Sequence, residues 1–484
     1  MFFVNLKNIM GLLKQKFTLL RQNYIGDKKF YKHTLSIAVP MMIQNGITNL
    51  VSLLDNVMVG RLGTEAMSGI SIVNQFIFIF NLLIFGSIAA AGIYIAQYYG
   101  LKDEDGLRYS FRFKLLITLT AAVLGTLIIF IFKEQLIGLF LHESDSAGDL
   151  ALTLSYGREY LLIMVIGLVP YAISQVYAST LRETGEVVMP MLSCLVAVAT
   201  NFVLNVLLIF GYLGFPTLGV VGAAIATVIS RFVELFILII YAHRNTARFT
   251  YLKGAFASLK IPTFLFKEIS LKGIPLLFNE FLWAIAITGR NQCYSTRGLD
   301  VVAAQNISST VFNLFNVVYM SLGAAIAIII GNLLGAGKVE EAKRETKKLV
   351  TFSVFTGILI ATFMRSSSFF FPKIYNTSDN VRYIASYMMI ISGLTMPFAA
   401  FANAAYFTLR SGGKVFITIL FDSVYMWCIT MPVSLIFAYL TEINVFSLFV
   451  ICQFVDTLKC IFGAFLLKHG GWANVLVSKT NDTE

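Results

Sequence analysis

One stretch of sequence occurs twice, and this repetition indicates the fold. Tyr177-Ala-Ser-Thr-Leu-Arg-Glu-Thr-Gly-Glu-Val187 is matched by Tyr406-Phe-Thr-Leu-Arg-Ser-Gly-Gly-Lys-Val415. Each stretch follows a Gly-Leu pair and a proline, which end at Pro170 in the first case and at Pro397 in the second. The chain therefore contains two related halves.

Other parts of the sequence repeat at a similar distance, roughly 228 to 235 residues. Ala96-Gln-Tyr-Tyr-Gly100 is matched by Gly331-Asn-Leu-Leu-Gly335, and Pro40 is matched by Pro275. If each half contains an even number of membrane spans, the two halves run parallel and are related by an axis along the membrane normal. Transporters use such paired halves to place a site between them and to expose it alternately to the two sides.

The composition excludes most soluble classes of protein. The chain has 484 residues, of which 57% are hydrophobic and 13% charged, whereas soluble domains have about 25% charged residues. A chain this rich in hydrophobic residues and poor in charged ones cannot cover its surface with polar groups. This excludes a soluble globular enzyme, a disordered regulator and a disulfide scaffold. A helix needs roughly 20 apolar residues to cross a bilayer, so the length corresponds to about twelve spans. We expect an all-α integral membrane protein with two pseudo-symmetric six-helix lobes.

Apolar runs bounded by charged residues, glycine or proline predict the twelve helices. They lie near 34–60, 68–99, 113–132, 155–180, 187–211, 219–242, 268–294, 302–334, 348–372, 383–409, 415–440 and 444–467. The predicted organisation is an N-terminal segment, a first lobe, a cytoplasmic connection, a second lobe and a cytoplasmic tail. These five parts are 1–33, 34–242, 243–267, 268–468 and 469–484.

The net charge of +11 predicts orientation in the membrane and not a nucleic-acid partner. Lys and Arg concentrate in 1–36, 243–272 and 338–348, whereas 133–149 is acidic. Because positive loops stay in the cytoplasm, we expect both termini to be cytoplasmic. Segment 1–33 fits either a basic amphipathic helix on the inner leaflet or a frayed tail.

Three acidic residues lie within apolar runs: Asp55, Glu280 and Asp422. An ionisable side chain at mid-bilayer costs roughly 2.5–3.5 kcal/mol on insertion scales, so each acid is a candidate functional residue. Structural alternatives are pairing of Asp55 with Arg61, of Glu280 with Arg290, and of Asp422 with a cation on another helix. Arg290 is ten residues beyond Glu280, about 15 Å along one helix, which argues against the second pairing.

A carboxylate in such a position can exchange a proton near neutral pH or hold Na⁺ together with neutral oxygen donors. Asn201 and Asn205 lie one turn apart in the fifth predicted helix, and Thr227 lies in the sixth. Thr227 ends the small-residue run Gly222-Ala-Ala-Ile-Ala-Thr227, which is also typical of close helix packing. We expect Na⁺, if it is the coupling ion, near Asp55 or Glu280.

Enzyme motifs are absent from the sequence. There is no Gly-x-x-x-x-Gly-Lys-Ser/Thr phosphate-binding loop, no Gly-x-Ser-x-Gly and no His/Cys cluster with metal-ligand spacing, and the five cysteines are scattered. We therefore expect a protein that is not an enzyme and has no cofactor other than a coupling ion, H⁺ or Na⁺.

Several short motifs, in their order and duplication, resemble the multidrug and toxic compound extrusion (MATE) transporters of the MOP flippase superfamily, bacterial type. The resemblance covers about 34–468. It rests on Val39–Gln44, Leu54–Gly63, Ala96–Gly100, Leu181–Gly185, Asn201–Asn205, Gly219–Thr227, Leu334–Gly337 and Leu409–Gly413.

The resemblance implies two lobes in a V shape and an antiporter in the bacterial plasma membrane. Asp55 matches the helix-1 acid used for cation coupling, and Asn201, Asn205 and Thr227 match positions grouped with it. Asn205 replaces an aspartate of some members, which removes one negative charge. Glu280 matches a helix-7 acid, whereas the helix-10 acid of Na⁺-coupled members has no counterpart here. The coupling ion is therefore open.

We expect export of organic, mainly cationic, compounds in exchange for H⁺ or Na⁺ by alternating access. The expected partners are these cations and the lipid bilayer, with no nucleic acid, and the chain is expected to be a monomer. The alternative is a flippase of the same superfamily for a lipid-linked oligosaccharide, for which Arg290 would be the main phosphate ligand. Candidate cavity residues are Gln44, Asn279, Trp283, Arg290 and Trp427.

Overall fold

A computed structural model describes residues 23–138 and 150–479 of the chain. Within these two ranges all regular secondary structure is helical, with no strand. Three parts of the sequence predictions lie outside the described residues. They are most of the N-terminal segment (1–22), most of the acidic loop (139–149) and the last five residues (480–484).

Twelve helices of the described chain are long and apolar enough to cross a membrane. They are α1 (Lys28–Gly60), α2 (Thr64–Leu101), α3 (Glu104–Ile131), α4 (Leu150–Glu183), α5 (Val188–Phe210), α6 (Gly219–Arg244), α7 (Thr263–Ser295), α8 (Leu299–Gly335), α9 (Val339–Ser367), α10 (Asp379–Ser411), α11 (Val415–Tyr439) and α12 (Val445–His469). The predicted all-helical membrane fold with twelve spans is confirmed.

Helix α3 extends beyond its apolar run, and a polar residue caps it. Asp103 accepts hydrogen bonds from the backbone N–H groups of Asp105 and Gly106, both at 3.1 Å. As a result α3 begins at Glu104, nine residues before the predicted start at 113. Helical hydrogen bonding continues through polar residues once the first N–H groups have acceptors, so hydropathy alone underestimates the length of such a helix.

Helix α11 departs from regular α geometry. Leu420–Val424 and Met426–Thr430 form wide turns of π type between ordinary helical ends. Pro432 follows directly, and a proline removes one backbone donor and clashes with the preceding turn. Asp422 therefore lies in a widened segment, a geometry that is frequent at functional sites.

The chain divides into two compact units. Of the described residues, the amino unit comprises 40–138, 150–282 and 477–479, and the carboxyl unit comprises 23–39 and 283–476. The divisions fall inside α1 and α7 and not in the connection between the halves. The lobe boundaries of the sequence analysis remain predictions.

Small residues allow the helices of the amino unit to approach closely. A Cβ atom on Gly222 of α6 would lie 2.6 Å from the Leu208 carbonyl oxygen of α5, and one on Gly69 of α2 would lie 2.8 Å from the Gly157 nitrogen of α4. Close backbone approach at small residues is a typical packing mode of membrane helices. At the α5–α6 contact it brings the polar faces of these helices together.

Candidate functional site

The amino unit brings together four side chains that the sequence singled out. Asn201 and Asn205 occupy one face of α5 because residues four apart are neighbours on a helix. Asp55 reaches this face from α1, and Thr227 reaches it from α6. Both asparagines are buried, with exposed fractions of 6% and 2%.

Direct hydrogen bonds connect these side chains. Nδ2 of Asn205 donates to Oδ1 of Asp55 at 2.8 Å and to Oδ1 of Asn201 at 3.1 Å. Nδ2 of Asn201 lies 3.2 Å from Oγ1 of Thr227. The carboxylate is thus bound by an amide of α5, in a network that extends to α6.

The Asn201 amide is better satisfied when its oxygen and nitrogen are exchanged. Its Nδ2 then donates to both carboxylate oxygens of Asp55 at 3.2 Å, and its Oδ1 accepts from Thr227. Such exchanges are assigned from the hydrogen-bond network. This one satisfies the Asn201 amide through Asp55 and Thr227, and it replaces the hydrogen bond from Asn205 to Asn201 by a 3.1 Å contact between the two amide nitrogens. Asp55 consequently accepts hydrogen bonds from both asparagines.

A cavity of about 300 Å³ adjoins this network. Asp55, Asn205 and Thr227 contribute to its wall. Six further polar side chains that the sequence analysis missed also line it: Ser52 and Asn56 of α1, Asn74 and Asn81 of α2, Tyr160 of α4 and Arg231 of α6. Arg231 could have been found by extending the search for intramembrane charge from acids to bases.

Gln44, a predicted cavity residue, contacts a different polar group. Its Oε1 accepts a hydrogen bond from Nη1 of Arg182 at 3.3 Å. The charge of Arg182 also acts on Glu234 of α6, which is 8% exposed and which Arg231 also influences. Two arginines of the amino unit therefore share one buried glutamate.

Glu280 and Asn279 lie in the part of α7 that belongs to the amino unit. Asn279 is fully buried and Glu280 is half-buried. Their neighbours Leu277, Phe278 and Phe281 line an apolar cavity of about 400 Å³, together with residues of α2 and α3. The cavity beside these neighbours is thus apolar, whereas the cavity beside Asp55 is lined by polar groups as well.

Arg290 pairs with an acid that the sequence analysis did not consider. Its Nη1 lies 3.6 Å from Oδ2 of Asp456 on α12. Lys459, one turn further on, lies 3.6 Å from Oδ1 of the same carboxylate. Arg290 therefore has an ionic partner on another helix. A pairing with Glu280 along α7 is not needed to balance the charge of Arg290.

The remaining predicted residues lie in the carboxyl unit. Asp422 acts electrostatically on Lys459 of α12. A cation on another helix is the partner that the structural alternative for Asp422 requires. Trp283 packs with Ala286, Met426 and Met431. Trp427 is 39% exposed. Asp55 and Glu280 thus belong to one unit and Asp422 to the other.

Residues of the described ranges form no group of three or more His, Cys, Asp or Glu side chains that could hold a metal ion. At Asp55 both asparagines present amide N–H groups to the carboxylate, and the Asn201 oxygen faces the Thr227 hydroxyl. A Na⁺ site there, or near Glu280, remains a prediction.

Comparisons with known proteins identify the class. The MatE family model matches residues 40–207 and 281–440, which is more than half of the chain. The chain belongs to the MatE family: it is a multi-pass membrane transporter of the multidrug efflux class and not an enzyme. The resemblance found in the sequence is confirmed.

Similar proteins support this assignment. "Probable multidrug resistance protein YoeA" of Bacillus subtilis is 23% identical over 436 residues, covering 88% of this chain and 91% of the relative. "Probable multidrug resistance protein NorM" of Thermotoga maritima is 24% identical over 429 residues, covering 86% and 88%. A mutant of the Vibrio cholerae MATE transporter VcmN has the same fold, with a TM-score of 0.81 at 16% identity over 91% of this chain and 97% of that one.

Proposed function

We propose that this protein exports organic compounds, chiefly cations, in exchange for protons, and that Asp55 is the carboxylate that exchanges the proton. One observation carries the choice of ion. Of the described residues that line the cavity, Asp55 is the single acid and Arg231 the single formal cation. The formal charges of this wall therefore cancel.

A neutral wall favours a proton over Na⁺. A bound Na⁺ must replace its water shell with oxygen ligands and negative charge. Here two amide N–H groups point at the carboxylate, and an arginine shares the cavity. A proton needs neither additional ligands nor a second acid, because it binds to one carboxylate oxygen and leaves a neutral group.

Proton binding would also change the hydrogen bonds that connect α1 and α5. An ionised carboxylate accepts hydrogen bonds, whereas a protonated one also donates. The bonds from Asn205 and Asn201 to Asp55 therefore weaken when the proton binds, since hydrogen bonds to charged groups are roughly twice as strong as neutral ones. This difference between the two forms of Asp55 can bias the transporter between its conformations.

Ethidium efflux from proteoliposomes tests the proposal, with an imposed pH gradient compared with an imposed Na⁺ gradient. We expect the pH gradient to drive efflux and the Na⁺ gradient to have no effect. The isosteric variant Asp55→Asn should reduce pH-driven efflux to the level of protein-free liposomes. Asp379→Asn is the matched control, since this acid is 98% exposed, and it should transport as the wild type does.

Efflux driven by the Na⁺ gradient would contradict the choice of ion but not antiport. Wild-type efflux in Asp55→Asn would contradict the role of the carboxylate. If neither gradient drives efflux in folded protein, a flippase for a lipid-linked oligosaccharide becomes the better proposal. The guanidinium of Arg231 in the cavity would suit the phosphate of such a cargo.

A further inference from the structure

Arg231 is an unexpected member of the cavity wall. It lies one helical turn beyond Thr227 on α6 and lines the same cavity as Asp55. An arginine within a membrane span is costly, and such residues usually face a functional cavity. In the proposed proton exchange this charge balances that of Asp55, but its N–H donors have no assigned ligand.

The Arg231 side chain is held in place by its surroundings. Its guanidinium lies 5.1 Å from the ring centroid of Tyr171, within the range of a cation–π interaction. Its Cδ atom packs at Gly167, 3.1 Å from the position that a Cβ atom would take there. A fixed guanidinium loses little conformational freedom when it binds a ligand.

Part of the guanidinium lacks a partner even so. Nη1 of Arg231 is buried, and none of the described residues forms a hydrogen bond with it. Glu234, three residues further on, acts electrostatically on both Arg182 and Arg231. The structure thus leaves positive charge and one N–H donor at this side of the cavity.

Unmatched acceptors occur elsewhere on the same wall. Oδ1 of Asn81 and Oδ1 of Asn205 are buried without a donor among the described residues, and Asp55 adds a carboxylate. Buried polar groups in native proteins are nearly always hydrogen-bonded, so groups that lack a partner call for an occupant. This wall has acceptors for a cationic group and a donor for an anionic one.

We propose that Arg231 binds a carboxylate of the cargo and so favours, among the organic cations that enter this cavity, those that also carry a carboxylate. The cationic end of the cargo contacts Asp55 and the asparagine oxygens, and the carboxylate accepts hydrogen bonds from the guanidinium of Arg231. Arginine matches the planar, two-oxygen geometry of a carboxylate. Arg231 is therefore a specificity-determining residue.

This inference rests on the proposed export function and fits its mechanism. A proton arriving at Asp55 removes the negative charge that holds the cationic end of the cargo. Proton and cargo then compete for one carboxylate, while Arg231 contributes only to the binding of the cargo.

A pair of dyes that differ in one group tests the inference. Rhodamine B carries a free carboxylate and a delocalised cation, and its ethyl ester carries the cation alone. Binding of both to the purified full chain is measured by fluorescence polarisation for the wild type, Arg231→Gln, Arg231→Lys and Arg61→Gln. Arg61 is exposed in the turn after α1 and serves as the control for a lost positive charge.

We expect Arg231→Gln to weaken binding of the free acid by about tenfold or more, the usual effect of a lost charge-assisted hydrogen bond. Binding of the ester should stay the same. Arg231→Lys should lose less, because it keeps the charge but not the planar geometry. Arg61→Gln should bind both dyes as the wild type does. The charge-balanced variant Arg231→Gln/Glu234→Gln repeats the test if the single variant does not fold.

Equal effects of Arg231→Gln on the two dyes, or no effect on either, would overturn the inference. So would a wild type that binds the ester and not the free acid, or neither dye. Efflux of the same dyes under a pH gradient separates this inference from the proposed function. Efflux of both dyes with no dependence on Arg231 would support the proposed function and contradict the inference. Selective binding without gradient-driven efflux would support the role of Arg231 and contradict the proposed export function.

Discussion

The hydrogen bond from Asn205 to Asp55 exists because residue 205 carries an amide and not a carboxylate. This difference determines how much negative charge the site carries. An aspartate at this position would place a second carboxylate about 3 Å from the first, and like charges at that separation cannot both stay ionised without a cation between them. Asn205 instead presents an N–H group at 2.8 Å. The site therefore keeps one carboxylate with a neutral partner.

The variant Asn205→Asp should create a response to Na⁺. We expect Na⁺ binding, measured by titration calorimetry, to appear in this variant, because a cation relieves the repulsion between the two carboxylates. Asn56→Asp is the matched control, since Asn56 lines the same cavity but is exposed. If Asn205→Asp binds Na⁺ no better than Asn56→Asp does, the charge of this position does not set the ion.

At the scale of helices, the two halves use the same position differently. Helices α1 and α7 each have 33 residues and contain Pro40 and Pro275 at the same place. Fifteen residues beyond its proline, α1 carries Asp55 and α7 carries Arg290. In the second half, the acid that pairs with Arg290 is Asp456 of α12. The repeat thus preserves a charged residue at this position but reverses its sign.

The Arg290–Asp456–Lys459 group predicts unequal effects of removing its members. Asp456→Asn leaves two cations without their shared carboxylate, whereas Arg290→Gln leaves Asp456 with Lys459. Uncompensated buried charge costs about 3–5 kcal/mol, so Asp456→Asn should lower the thermal unfolding temperature in detergent more than Arg290→Gln does.

The double variant Arg290→Gln/Asp456→Asn provides the control for this prediction. It removes one charge of each sign and should be more stable than Asp456→Asn alone. Wild-type stability in all three variants would show that these 3.6 Å contacts contribute nothing measurable.

At the scale of the whole molecule, the alternation of twelve spans predicts the exposure of each loop. The connection between α5 and α6 contains Leu213, which is 89% exposed, and the connection between α6 and α7 contains Lys253, also exposed. One span separates them, so they should lie on opposite sides of the membrane. The Lys/Arg distribution predicts that Lys253 is cytoplasmic.

Cysteine labelling tests this topology. In a variant whose five native cysteines are replaced, a membrane-impermeant maleimide added to intact cells should label Leu213→Cys and not Lys253→Cys. Permeabilised cells should show labelling of both. Labelling of Lys253→Cys alone in intact cells would reverse the predicted orientation, and labelling of both there would contradict the alternation of spans.

The sequence alone determined the features that depend on local order along the chain. Apolar runs predicted twelve spans because each helix must satisfy its own backbone in lipid. The duplicated Tyr177–Val187 and Tyr406–Val415 stretches predicted two related halves. The residues around Asp55 were grouped through the resemblance to MATE transporters, and the hydrogen bonds from Asn205 and Asn201 place them together.

Only the tertiary structure decided which side chains of distant helices meet. Arg231 lines the same cavity as Asp55. Gln44 accepts a hydrogen bond from Arg182, and Arg290 pairs with Asp456. These contacts depend on how far each helix is rotated and how closely two backbones approach, as at Gly222 and Leu208. Hydropathy and helical period do not contain that information, because they describe each helix separately from its neighbours.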